Sequence, residues 1–179
     1  MDKGDKKINI VSVKWGSKYS SEHVNRLYNM VNKNLTYDFN FYCLTEDITG
    51  CLPTVTQLPL EDDGLVGWWN KLYLFKENFF GLEGTILYFD LDIIIVNSID
   101  FLIEQETEFL ICKDWTSRDR DMWNSSIMKF DVGNLFHVWE NFVKDRESIV
   151  AKYHGDQDWI YDCIPSATII DETRVVSFK

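Results

Sequence analysis

The stretch Gly84-Thr-Ile-Leu-Tyr-Phe-Asp-Leu-Asp-Ile-Ile-Ile-Val96 decides the fold. Its apolar run is typical of a parallel strand at the centre of a sheet that has helices on both faces. Only Asp90 and Asp92 interrupt the run. Residues two apart in an extended chain point to the same side, so we expect both carboxylates on one side of the strand, roughly 6 to 7 Å apart.

The two carboxylates need a neutralising group. Ionised acids at the end of an apolar strand repel each other and lose solvation unless a divalent metal or a basic group compensates them. All-oxygen ligation favours Mg²⁺ or Mn²⁺ over zinc, and open α/β sheets bind ligands where their strands end. The sequence therefore predicts a metal site at Asp90 and Asp92. The alternative is that both acids lie in a solvated turn.

The residues before this strand predict a β-α-β beginning. Apolar positions from Val24 to Leu35 recur at helical spacing between two strand patterns. A second helix is predicted over Trp68 to Phe80, with Lys71 near its start. The predicted strands in this half are Ile8 to Val13, Phe39 to Leu44 and Thr54 to Leu58.

The second half predicts further strands and one long helix, which starts after Gly133. A short element begins at Gly155. The predicted strands are Phe109 to Cys112, Ser126 to Phe130, Ala167 to Ile170 and Val175 to Phe178. Together these patterns predict an α/β fold, a single domain over residues 1–179, with a mostly parallel mixed sheet flanked by helices.

Composition excludes some partners and indicates a compartment. With 18 Lys and Arg against 29 Asp and Glu, the 179-residue chain carries a net charge of −11. Nucleic acid is therefore not expected, although a divalent cation can link acidic side chains to a small polyphosphate. The four cysteines are far apart, and the start of the chain lacks a signal or membrane segment, which predicts a cytoplasmic protein.

Five short segments follow one another along nearly the whole chain. They are Val11-Ser-Val-Lys-Trp-Gly16, Lys71, Tyr88-Phe-Asp-Leu-Asp92, Asn124-Ser-Ser-Ile-Met128 and Gly155-Asp-Gln-Asp158. In this order and spacing they resemble the nucleotide-sugar glycosyltransferases of the GT-A fold, especially family-eight and related bacterial and phage enzymes.

The resemblance implies a Rossmann-like GT-A domain with a metal centre. Asp90 and Asp92 would hold Mn²⁺ or Mg²⁺, which bridges the diphosphate of a UDP-sugar donor and acts as a Lewis acid on the departing nucleoside diphosphate. Asp90 would also touch the donor ribose or sugar. The loop that receives the nucleoside would contain Val13, Lys14, Trp15, Gly16 and Tyr19.

Further roles follow from the same resemblance. Lys71 would direct its ammonium at the diphosphate or donor sugar, the alternative being a solvated helix lysine. Asn124 and Ser125 would line the donor-sugar pocket. Ser126 stands where the family often has Gly or Ala, so the shape of that pocket is left open.

The segment after Gly155 would complete the site. Asp156 would bind sugar hydroxyls, and Gln157 or Asp158 would face the anomeric carbon. Alternatively, both acids simply favour a helix start. Trp123 is the acceptor-side candidate, and the loop from Asp114 to Met122 either closes over substrate or is an ordinary solvated loop.

The predicted activity is transfer of a hexose from a UDP-sugar to a hydroxyl of a glycan or related acceptor. One alternative is a phosphohydrolase of the haloacid dehalogenase type, in which the first Asp is the nucleophile. Against it, Ile93 follows the acidic pair and Ile160 stands where a later acid is needed. The other alternative is a non-catalytic sugar-binding domain.

Overall fold

The structure is a computed structural model that describes residues 6–61, 64–114 and 122–176. Its strands are β1 (Ile8–Lys14), β2 (Asn40–Thr45), β3 (Val55–Pro59), β4 (Thr85–Phe89), β5 (Phe109–Lys113), β6 (Trp123–Asp131) and β7 (Thr168–Ile169). Its α-helices are α1 (Ser21–Asn34), α2 (Asp100–Glu104), α3 (His137–Lys144), α4 (Arg146–Lys152) and α5 (Asp156–Cys163). A 3₁₀ helix spans Gly67–Phe75.

The strands form one seven-stranded sheet in the order β3-β2-β1-β4-β6-β5-β7. Within the described residues, β6 alone runs against the common direction, because it pairs antiparallel with β4 and β5 while the remaining pairs are parallel. The predicted α/β fold with a mostly parallel mixed sheet is therefore confirmed.

Both faces of the sheet are covered, as the apolar pattern of β4 predicts. Ile86 and Tyr88 face one core together with the 3₁₀ helix, α3, α4 and α5. Leu87 and Phe89 face a second core that contains α1 and α2. Because successive side chains alternate between faces, a strand buried on both sides is apolar at nearly every position.

The strand prediction for the 84–96 stretch is wrong beyond Phe89. The Asp90 N–H still donates to Ser126 O at 2.9 Å, but the Ile93 N–H then turns back to Asp90 O at 3.3 Å. Ile94 and Val96 are 60% and 75% exposed. Asp90 and Asp92 therefore belong to a turn at the strand end, and the same-side argument for an extended chain does not apply to them.

Two helix predictions also change. The segment predicted as a helix over Trp68 to Phe80 is a 3₁₀ helix that ends at Phe75. Its side chains from Trp69 onward are buried, so the segment has no exposed polar face whose spacing could distinguish a 3₁₀ helix from an α-helix. The long helix after Gly133 is divided into α3 and α4 at Asp145, whose backbone leaves the helical region.

The last predicted strand is not formed where the structure describes it. Residues 175 and 176 lie outside any strand, and residues 177 and 178 are outside the described ranges. None of the helices in the described ranges combines the length and apolar character that a bilayer crossing requires.

Candidate functional site

The candidate site lies at the point where the strand order of the sheet reverses. The chain proceeds from β1 to β2 and β3 on one side and then returns to place β4 on the other side of β1. In open α/β sheets the crevice outside the carboxyl ends of two such strands is where ligands bind. Here the Tyr19 hydroxyl, from the loop after β1, donates to Asp92 Oδ2, from the turn after β4, at 3.0 Å.

Behind this pair lies a buried lysine shared by three polar side chains. The Lys71 ammonium lies 3.0 Å from Asp90 Oδ1 and 3.6 Å from Asp156 Oδ2. It donates to Ser125 Oγ at 3.0 Å, and Ser125 Oγ donates to Asp156 Oδ2 at 2.6 Å. Lys71 is only 8% exposed, so the alternative of a solvated helix lysine is wrong.

Different elements deliver the members of this network. Asp90 directly follows β4, Asp156 begins α5 and Lys71 comes from the 3₁₀ helix. Ser125 reaches the network through an irregularity in β6: Ile111 of β5 pairs with Met128, yet the next residue, Cys112, pairs with Asn124, so β5 skips residues 125–127. The site is thus assembled by tertiary packing.

The charges in the network are coupled. Burial raises the pKa of the Asp156 carboxyl above its ordinary value, although Lys71 and Ser125 act in the opposite direction. Burial also favours the neutral Asp90, but the Lys71 ammonium and hydrogen bonds from Tyr88, Lys71 and Ser126 outweigh it and lower the Asp90 pKa. Burial alone would lower the pKa of the Lys71 ammonium, but attraction to Asp156 and Asp90 outweighs burial and raises that pKa. Lys71 therefore stays charged and compensates an ionised Asp90.

Tyr88 is a site residue that the sequence argument missed. Its hydroxyl donates to Asp90 Oδ1 at 2.5 Å, and burial raises its pKa well above the ordinary tyrosine value. The signal was present, because Tyr88 lies two positions before Asp90 and strand side chains alternate with a period of two.

The oxygen donors at the mouth of the site suit a hard divalent cation. Asp92 is exposed, and the side chain of Asp90 remains 24% exposed despite its contacts with Lys71. No group of three or more His, Cys, Asp or Glu side chains placed to hold a metal occurs in the described part of the chain. The carboxylates of Asp90 and Asp92 are hard oxygen donors of the kind that Mg²⁺ and Mn²⁺ prefer, and Mg²⁺ usually keeps several water ligands.

The predicted nucleoside loop is only partly directed at the crevice. Lys14 is buried and its ammonium donates to Asp47 O at 3.1 Å, while Val13 packs into a core. Trp15 is 41% exposed. Gly16 adopts φ +61°, a conformation that favours glycine, and its N–H donates to Glu46 Oε1 at 2.6 Å.

The remaining predicted residues have mixed placements. Asn124 Oδ1 accepts from the Ser126 N–H at 3.0 Å and so shapes the irregular part of β6. Gln157 and Asp158 are half-buried in the first turn of α5. Trp123 is 5% exposed and packs on Tyr161, so the prediction of an acceptor-side role for it is wrong.

The predicted loop from Asp114 to Met122, with Trp115 and the run from Arg118 to Asp121, falls largely on residues 115–121, which are outside the described ranges.

Replacing Ser125 with alanine tests the network without removing a charge. We expect Ser125→Ala to lower the free energy of unfolding by about 1 to 3 kcal/mol, because it removes a hydrogen bond to each of two buried charged groups. Urea denaturation measures this, with Ser166→Ala as a control at an exposed serine. A change equal to that of the control would contradict the bonding described for Ser125.

A Rossmann-like mixed sheet with a single reversed strand and acids at its switch point is the architecture of the GT-A glycosyltransferase fold. Among solved structures, the chain is similar to the apo form of the glycosyltransferase GlyE of Streptococcus pneumoniae TIGR4, with a TM-score of 0.64 and 11% identity, over 95% of this chain and 46% of that chain. It is also similar to the galactosyltransferase LgtC in complex with donor and acceptor sugar analogs, with a TM-score of 0.58 and 11% identity, over 86% of this chain and 69% of that one.

A third similar structure is the apo form of the bifunctional glycosyltransferase WbbM, with a TM-score of 0.65 and 12% identity, over 93% of this chain and 39% of that chain. The chain therefore spans less than half the length of GlyE and WbbM. No protein-family model and no curated protein matches the sequence. These likenesses establish the GT-A fold.

Proposed function

We propose that the chain is a metal-dependent glycosyltransferase that moves a hexose from a UDP-sugar to a hydroxyl of a glycan or related acceptor. The observation that carries the proposal is the buried Lys71 ammonium between Asp90 and Asp156 at the switch point of a GT-A sheet. Removing a cation and two carboxylates from water costs free energy, and replacing such groups with apolar side chains is often neutral or stabilising. Their presence therefore favours a role in binding a ligand. Perturbed pKa values on several side chains that contact one another also favour a functional site.

Each polar group has a role in this proposal. Asp90 and Asp92 hold Mn²⁺ or Mg²⁺, which when bound supplies Lewis-acid stabilisation of the departing nucleoside diphosphate. Lys71 adds a fixed positive charge beside the leaving group, in a water-poor setting where such charges act strongly. Asp156 accepts hydrogen bonds from donor-sugar hydroxyls while Ser125 holds its orientation. Gln157 or Asp158 faces the anomeric carbon, and Asn124 shapes the sugar pocket.

The loop after β1 receives the nucleoside. The exposed Trp15 and the half-buried Tyr19 supply aromatic faces for the uracil ring, and Gly16 allows the backbone to approach it closely. Val13 and Lys14 act here through their backbone, because their side chains are engaged elsewhere.

Thermal unfolding with UDP tests the proposal directly. Saturating UDP with Mn²⁺ is expected to raise the Tm by about 5 °C or more, since ligand at about 100 times its Kd adds about 2.7 kcal/mol to the native state. UDP with EDTA is expected to give no shift. Equal Tm values in the two conditions would contradict metal-dependent nucleotide binding, and hydrolysis of an aryl phosphate with Mg²⁺ would favour the phosphohydrolase alternative instead.

We also propose a single domain over residues 1–179 and a cytoplasmic location. The four cysteines are free. Burial raises the pKa of the Cys43, Cys112 and Cys163 thiols to about 12, so these three stay protonated and little of the oxidation-prone thiolate forms. Unpaired thiols of this kind fit a reducing compartment.

A further inference from the structure

Trp68 is an exposed aromatic residue held at the rim of the site. It is 56% exposed, although it belongs to the same 3₁₀ helix as the buried Lys71. A Cβ on Gly155 would lie 3.0 Å from Trp68 Nε1, 3.3 Å from Cδ1 and 3.5 Å from Cε2. The five-membered ring of the indole therefore rests against Gly155, while much of the residue stays open to solvent.

Its position places the indole beside the polar network. Side chains three apart in a 3₁₀ helix lie on the same face, so Trp68 lies one turn before Lys71 on that face. Gly155, on which the indole rests, immediately precedes Asp156. Trp68 is thus near two members of the network, because it shares a helix face with Lys71 and lies against the residue that precedes Asp156.

Three other tryptophans, Trp69, Trp123 and Trp159, make contacts within the fold. Trp69 stacks on Phe142, and Trp123 packs edge to face on Tyr161. The Trp159 indole N–H donates to Val138 O at 3.1 Å. Exposing an indole forgoes the burial energy that these residues gain, so Trp68 offers an apolar face to solvent beside the charged network.

We propose that Trp68 is the platform on which the acceptor stacks, and that the acceptor is therefore a pyranose sugar. An indole face covers the C–H face of a pyranose, whereas the carboxylates nearby accept hydroxyl hydrogen bonds. The donor sugar occupies the inner position at Lys71 and Asp156, which leaves the outer position at Trp68 for the acceptor. This inference rests on the proposed function and narrows its acceptor from a glycan or related hydroxyl compound to one that presents a pyranose ring to Trp68.

The test uses methyl hexopyranosides as probes, with the full chain, UDP and Mn²⁺ present. Saturation-transfer NMR measures pyranoside binding, and thermal unfolding measures UDP binding in the same samples. Trp68→Ala is expected to weaken pyranoside binding about tenfold and leave the UDP shift unchanged. Trp68→Phe, which keeps a ring, is expected to retain most of the binding. Val66→Ala is the control, because Val66 precedes the same helix and is also 56% exposed.

Each outcome has a separate meaning. Equal pyranoside binding by the wild type and Trp68→Ala would overturn the inference while a UDP shift keeps the proposed function. Loss of the UDP shift in Trp68→Ala would assign the indole to the donor or to the fold and would also overturn the inference, as would a wild type that binds no pyranoside. Trp68-dependent pyranoside binding without any UDP shift would retain the sugar platform but contradict the transferase.

Discussion

Lys71→Ala is expected to lower the free energy of unfolding by about 3 to 5 kcal/mol and to abolish sugar transfer. The substitution leaves the half-buried Asp90 and the buried Asp156 without their shared cation, and breaking a buried charge pair from one side costs this much. Transfer is lost as well because the fixed positive charge beside the diphosphate disappears. Urea denaturation gives the first quantity and product formation from a UDP-sugar gives the second.

Two further variants separate charge from packing. Lys7→Ala removes a lysine from an exposed ion pair with Glu83 and is expected to lower the free energy of unfolding far less than Lys71→Ala does, because solvent screens exposed pairs. In Lys71→Ala/Asp156→Asn one buried negative charge is removed together with the cation, so part of the lost stability should return, which a double-mutant cycle measures. If Lys71→Ala behaves like Lys7→Ala, the Lys71 network does not hold the site together.

Asp92→Asn is expected to weaken Mn²⁺-dependent UDP binding by more than about 100-fold while leaving the stability of the unliganded protein nearly unchanged. Loss of groups that only support a metal ligand already costs about 10- to 100-fold in metal affinity, so loss of a ligand should cost more. The fold is spared because Asp92 is exposed and its described hydrogen bond comes from the Tyr19 hydroxyl at the surface. Titration calorimetry with UDP in the presence of Mn²⁺ measures the affinity.

The matched control is Asp131→Asn. Asp131 is an exposed acid that accepts from Thr85 Oγ1 at 2.7 Å, and its pairing with the first residue of β4 places it at the end of the strands opposite to Asp90. Its UDP affinity should equal that of the wild type. An Asp92→Asn protein that binds UDP and Mn²⁺ as the wild type does would remove Asp92 from the metal site.

The sheet was largely predictable because its strands carry local patterns. The predicted strands from Ile8, Phe39, Thr54 and Phe109 each agree with an observed strand to within one residue at either end. The apolar run after Phe89 misled the prediction, because Ile94 and Val96 are apolar but exposed, and periodicity does not distinguish an exposed apolar turn from a buried strand.

The sequence pointed to several of the residues that the structure brings together, but not to the contacts between them. Asp90, Asp92 and Lys71 were singled out from the sequence. That Lys71 is the group that neutralises Asp90 is a contact between distant parts of the chain, which only the folded structure reveals. Ser125 joins the network through the irregular pairing of β6 with β5, a feature without a sequence signature. The 3₁₀ geometry around Lys71 was hidden because the neighbouring side chains are buried on all sides.

The antiparallel course of β6 has a consequence for how this protein tolerates length variation. Residues Ile127 to Asp131 of β6 pair with β4, and this pairing fixes the register of β6. The position of Ser125 is therefore set by the part of the strand that follows it. Insertions or deletions between β5 and the start of β6 should leave that hydroxyl in place. The connection ahead of β6 can thus vary in length while the network around Lys71 keeps its shape.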